Sequence, residues 1–332
     1  MLYKAIFRGN FQFGNLRSFE KVVQSYHHKV EILYKGDVLL KPEQLFSEET
    51  FSLNLSNIVV TGTEKSVKNT AYLLETLSQF ALSGQAWCWM VNEGKVVFSM
   101  QIYPSSDKTP VMAYMEGYQL SKEPGRELEA LAKFNFATEK FDRHWTALER
   151  KGYVQMLMND FEAALQSFKE SIAIHPDQPD SYSGMARVYM QLGDWKSATE
   201  MLEKAIKNAV PHQTIYWQSR RIKGECLVHL EEYDKAHFEL NLCVKRQFGH
   251  SDSNFAWRKS AMMYFSRVLF EQRKENEAVD MFNKAMEITD ALEPVFSGKQ
   301  AAFYERMMLL SGRKPQPSEE KTNNTVPVAV NN

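Results

Sequence analysis

The chain has 332 residues, enough for about two domains at roughly 150 residues each. Lys and Arg number 40 against 41 Asp and Glu, and the formal net charge of -1 excludes electrostatic capture of nucleic acid as the main activity. Three cysteines are too few for a disulfide framework, and no apolar run is long enough to span a bilayer. The residues after Met1 include Lys4 and Arg8 where a signal peptide needs an apolar stretch. These features lead to the expectation of a cytoplasmic protein with no membrane partner.

Up to about Tyr118 the chain alternates as strands do. Tyr3 to Phe13 is rich in aromatics at a period near two, and Val30 to Tyr34 runs into the turn residues Lys35, Gly36 and Asp37 like a second strand. Phe51 to Val60 reads as a third strand, and Ala86–Val91 with Lys95–Met100 around Asn92-Glu93-Gly94 as a hairpin. Helices are expected over 18–26 and 64–81; the second carries Val67, Ala71, Leu74, Leu77 and Ala81 on one stripe. The order fits a degenerate duplication of a strand–helix–strand–strand unit within an α+β domain spanning 1–123.

At Pro124-Gly125 the texture changes. From there to residue 312 the chain has helical periodicity and is rich in Ala, Glu, Leu and Met. A tail over 313–332 has no helical stripe and reads as disordered.

The second half repeats. Asp160-Phe161 with Ala164, Phe168 and Ser171 recurs as Asp194-Trp195 with Ala198, Leu202 and Ala205, then as Glu232-Tyr233 with Ala236, Leu240 and Cys243. A fourth copy has Ala278, Phe282 and Ala285, with Glu275 in place of the aromatic. The anchor alanines are 34, 38 and 42 residues apart. Gly152, Ala186, Gly224 and Ser266 supply the small residue of each preceding helix. Two antiparallel helices approach closely only where small side chains meet, and large residues fill the space beside that contact.

Over about 143–292 the pattern resembles the tetratricopeptide repeat family. The resemblance implies an all-α solenoid, a superhelix of four repeats closed by a capping helix after Pro294, with Glu127–Lys133 capping the other end or linking to the first domain. It also implies a concave groove for a peptide or helix from another protein. Counting along each first helix, the groove candidates are Glu149, Tyr153, Met156 and Leu157; then Ser183, Arg187, Met190 and Gln191. They continue with Arg221, Glu225 and His229, then Met263, Arg267 and Phe270. Arg187, Arg221 and Arg267 suit an acidic partner, and the methionines an adaptable apolar floor. One subgroup clamps the acidic tails of heat-shock chaperones with Lys and Asn; Glu149 and Tyr153 stand at those places, so such a role is not expected.

Other chemistry reads as structural. Thr61 to Ser66 lies between strand and helix, but one glycine at this spacing is no phosphate loop; Thr61 and Glu64 fit a capping box. Cys226, His229, His237 and Cys243 lack ligand spacing for zinc. His27 and His28 follow the first expected helix and precede a strand, where neighbours would point to opposite faces and not share a metal, and Cys88 between Trp87 and Trp89 reads as a buried thiol. No catalytic triad or carboxylate pair stands out, and no metal or cofactor is expected. The reading is a non-enzymatic adaptor or scaffold. The alternative is a regulatory protein whose first domain binds a small molecule while the repeats recruit a partner.

Overall fold

The computed structural model describes residues 1–313; the rest of the C-terminal tail lies outside the described residues. The chain forms two compact units, Met1–Asp177 and the residues from Gln178 onward.

The first unit opens with strand β1 (Tyr3–Gln12), helix α1 (Leu16–His28), a short α2 (Pro42–Leu45) and strands β2 (Phe46–Ser47) and β3 (Ser52–Gly62). Helix α3 (Glu64–Ser78) and the hairpin β4 (Ser83–Asn92) and β5 (Lys95–Ile102) follow. The strands form one antiparallel sheet in the order β2-β3-β1-β4-β5. Alternation along β1 builds the core. Ala5, Phe7, Phe11 and Phe13 point to one face, where Phe19, Val22 and Tyr26 of α1 and Val67, Ala71, Leu74 and Leu77 of α3 cover them.

Two expectations are corrected here. Val30 to Tyr34 is not a strand: Lys29–Leu33 forms a π-helical turn continuing α1. Val23, Tyr26, Val30 and Tyr34 all pack on the core at intervals of three or four, while Ile32 and Leu33 stay exposed, so the helical period overrides the alternation. The loss of that strand leaves five strands rather than two full copies of the expected unit. At the start of α3 the cap is Thr63, not Thr61, its hydroxyl accepting from Ser66 N at 3.1 Å; Thr61 lies within β3.

The sheet's second face is polar yet buried. Asn10 Oδ1 accepts from Gln12 Nε2 (2.8 Å) and from the indole Nε1 of Trp145 (3.1 Å), while its amide donates to Asn54. Arg143 Nε donates to Gln12 Oε1 at 3.1 Å, and Arg8 donates to the Asp177 carbonyl and to Asn57. Asn54 and Asn57 belong to β3, while Trp145, Arg143 and Asp177 come from the helical part that completes the unit, α4 (Thr109–Leu120), α5 (Glu127–Lys140), α6 (Trp145–Leu157), α7 (Phe161–Ile174) and the segments flanking α6 and α7.

The α4–α5 hairpin is a repeat absent from the sequence reading. Pro124 and Gly125 lie in its turn, with Gly125 at a φ of 87°. A Cβ on Gly117 would lie 2.9 Å from the Phe134 ring, just as one on Gly152 would lie 2.9 Å from Phe168. Ala130, Phe134 and Ala137 repeat the spacing of Ala164, Phe168 and Ser171, 34 residues earlier. The hairpins therefore number five rather than four among the described residues, and 127–133 belongs to a second helix rather than to a cap.

The second unit holds α8 (Pro179–Gln191), α9 (Trp195–Asn208), α10 (Thr214–His229), α11 (Tyr233–Lys245), α12 (Arg258–Glu271), α13 (Glu275–Met286) and α14 (Gly298–Leu310). A Cβ on Gly224 would lie 2.5 Å from Leu240; Ala186 with Leu202, and Ser266 with Phe282, are all buried at the equivalent positions.

Two predictions follow from this packing. Gly117→Val should destabilise the protein by about 1–3 kcal/mol in urea unfolding, and Phe134→Leu should recover part of that loss. Burial pushes His144 down to about 3 and His175 down to about 4, so both are neutral in the fold. The unfolded chain takes up their protons below about pH 6.5. Stability is therefore retained above that pH and lost as pH falls toward 4, by about 2 kcal/mol per histidine at pH 5. Chemical unfolding at pH 7 and pH 5 checks this, with His175→Gln expected to flatten the difference.

Candidate peptide-binding surface

In the second unit each first helix touches the next first helix as well as its own partner, so α8, α10, α12 and α14 form one layer. The candidates on α8 reach its surface: Arg187 and Met190 are half-buried and Gln191 is exposed. On α10, His229 stacks on Trp195 with ring centroids 4.0 Å apart and planes 5° apart. Burial, with Arg267 beside it, holds His229 below its ordinary pKa. An aromatic line continues across the layer from His229 to Tyr264 (6.3 Å) and from Tyr264 to Phe296 (5.6 Å). On α12, Phe270 is half-buried, packed against Phe303 with Arg306 4.5 Å above its ring.

Two of the three candidate arginines are committed inside the protein. Arg221 is 5% exposed, hydrogen-bonded to Glu225 one turn along and 4.5 Å from the Trp257 ring. Arg267 is 3% exposed, donates to Gln300 Oε1 of α14 at 3.1 Å and lies 3.9 Å from Glu271. Met263 is fully buried, and Ser183 and Glu225 are buried. Arg220, Glu239, Lys223 and Glu203 tie α10 to α11 and α9 through a second charged cluster, with Lys223 3.0 Å from Glu203 and 3.1 Å from Glu239.

Glu149, Tyr153, Met156 and Leu157 lie on α6 in the first unit. Glu149 is buried with Arg150 Nε 3.5 Å away, Met156 is buried, and Tyr153 sets its ring edge-on to Phe168 at 5.1 Å.

The cysteines and the histidines near them have separate surroundings. Burial pushes the Cys88 and Cys243 thiols up to about 12 and raises Cys226 as well. His237 Nδ1 lies 2.9 Å from Gln272 Oε1, whereas His229 stacks on Trp195. Among the described residues no group of three His, Cys, Asp or Glu side chains is placed to hold a metal ion. No described helix is long and apolar enough to cross a membrane.

Hairpins of helices closing repeatedly on a small residue define a helical-repeat array that follows an antiparallel sheet in the chain. Residues 126–179 and 155–221 match two tetratricopeptide repeat models, so this stretch of the chain carries tetratricopeptide repeats. It is similar to the TPR repeat-containing protein YsoA of Bacillus subtilis strain 168, at 23% identity over 131 residues. That match covers 40% of this chain and only 38% of the relative's length. Among solved structures it is similar to YrrB, described as a TPR protein with an unusual peptide-binding site. The identity is 19% and the TM-score 0.44, covering 54% of this chain and 86% of that one. A MamA fragment from Desulfovibrio magneticus RS-1 is 16% identical with a TM-score of 0.45, covering 54% and 95% of the two chains.

The buried Arg221–Glu225 pair makes a prediction. Glu225→Ala strands an uncompensated guanidinium and should cost about 3–5 kcal/mol, whereas Arg221→Met with Glu225→Leu should stay within about 2 kcal/mol of the parent. Urea denaturation of the three proteins checks it.

Proposed function

We propose that the protein is a non-catalytic adaptor in which the layer formed by α8, α10 and α12 takes a segment of another protein. The observation that carries this reading is the side-by-side alignment of half-buried, chemically mixed side chains, with Met190, His229 and Phe270 on three successive first helices. An extended surface of this kind suits a peptide or helix, and its thioether and aromatic groups adapt to varied apolar partners. Arg221 and Arg267 are turned to internal partners, and Arg187, half-buried at the surface of α8, favours an acidic residue in the bound segment. The polar face of the first domain's sheet is filled by the chain's own Trp145 and Arg143, which speaks against the alternative of a small-molecule pocket there. Three buried, unpaired cysteines support a reducing compartment, the cytoplasm.

The test is affinity capture from native lysate on immobilised full-length protein, quantified by mass spectrometry against Arg187→Glu with Met190→Glu. A partner whose recovery falls at least tenfold while helical content and melting stay unchanged supports the adaptor. Partners retained equally by both proteins would sink it.

A further inference from the structure

Between α13 and α14 the chain runs for eleven residues, 287–297, without regular structure. It lies along the start of α12. Leu292 N donates to the Ala256 carbonyl at 2.9 Å, Asp290 pairs with Arg258, Glu293 pairs with Lys259, and the Phe296 ring meets Tyr264 edge-on at 5.6 Å.

The two sides of this contact are unequal. Lys259 is 4% exposed, so its ammonium is fixed in the protein and needs a carboxylate, since a buried charge without its partner is strongly destabilising. The Glu293 side chain is 74% exposed and sits on irregular backbone, where ion pairs add little and local opening is easy. Arg258 and Lys259 also occupy the first turn of α12, which has no acidic residue of its own. Cations there oppose the helix dipole, so the position calls for acids from outside the helix. The receiving surface is permanent and its occupant replaceable.

We infer that the first half of α12 is a subsite for an extended segment of a partner protein. Its pattern is acidic, two residues, acidic, two residues, aromatic, and residues 290–296 of this chain fill the subsite in its absence. The inference rests on the reading that the first-helix layer binds protein segments, and it specifies their chemistry. Asp290 and Glu293 stand three residues apart because they meet adjacent cations, and the aromatic ring three residues further on reaches Tyr264, one and a half turns along the helix. A segment of the same pattern in another protein makes the same contacts once the internal one is displaced.

The experiment is fluorescence anisotropy with a labelled peptide of the sequence Thr289–Ser297 on the full-length protein. The triple variant Asp290→Ala, Glu293→Ala, Phe296→Ala lacks the internal competitor and should bind the peptide at least tenfold more tightly than the parent. Adding Lys259→Met should abolish that gain, and a peptide with Asn and Gln replacing the two acids should bind neither protein. Equal binding by parent and triple variant, with melting unchanged, overturns the subsite, as does a gain that survives Lys259→Met. A parent that is dimeric in size-exclusion chromatography, and monomeric as the triple variant, makes a second copy the occupant and overturns the partner reading. Because Arg187 and Met190 are untouched here, failure of this subsite leaves the capture result of the adaptor reading independent.

Discussion

Every level of this protein depends on one steric fact: two helices can lie close only where one of them has almost no side chain. Gly117, Gly152, Ala186, Gly224 and Ser266 provide that place in five hairpins, and Phe134, Phe168, Leu202, Leu240 and Phe282 close over it. The large residue is specified by the gap beside the small one, so the two cannot vary independently without opening a void or a clash. In the second unit the first helices of successive hairpins lie against one another, and that stacking creates the layer of α8, α10, α12 and α14. The surface of that layer is a by-product of packing, and its chemistry is decided by the few positions that packing leaves open.

A buried polar face is costly unless its groups are satisfied, and here the sheet uses that requirement to fix what lies against it. Asn10 meets Gln12, Asn54 and Trp145 at once, so the indole is held by a directional bond as well as by apolar contact. Arg143 and Arg8 extend the same logic to the turn before α6 and the end of α7. An apolar face would have tolerated sliding; this one accepts a single register. The first helices are thereby joined to the sheet as one compact unit, and the change in sequence texture at Pro124 marks only a turn within a hairpin.

How much of this was legible in the residues varies with range. The anchor alanines and their aromatics are local signals, and the later hairpins follow from them. The α4–α5 hairpin carries the same triad of Ala130, Phe134 and Ala137, yet Glu127 stands where the aromatic belongs and Gly117 lies before the apparent boundary, so the pattern is split by its own turn. Val30 to Tyr34 misleads because β-branched residues alternate there, while the side chains that matter for burial follow the period of the helix behind them. The arginines show both cases. Glu225 sits one turn after Arg221, a local pairing that the groove assignment of both residues passed over. Gln300 reaches Arg267 from 33 residues away, and nothing local announces it. Asn10 and Trp145, 135 residues apart, are out of reach of any local reading.

The distribution of charge in the second unit separates structure from recognition more sharply than exposure does. Arg221 with Glu225, and Lys223 with Glu203 and Glu239, are paired by charge with groups on regular helices, and disturbing them disturbs the fold. Lys259 is as deeply buried as Arg221, but its acid comes from irregular chain on the surface. A cation held that firmly, with a counter-ion held that loosely, is tuned for exchange: opening the segment leaves an unpaired buried ammonium, and any incoming carboxylate in register removes that penalty. The same asymmetry sets the order of events, since a partner segment gains its electrostatic contact only after the internal one has let go. Affinity at this end of the layer is therefore governed by the difference between two nearly equal contacts, and small changes in either segment shift the occupancy.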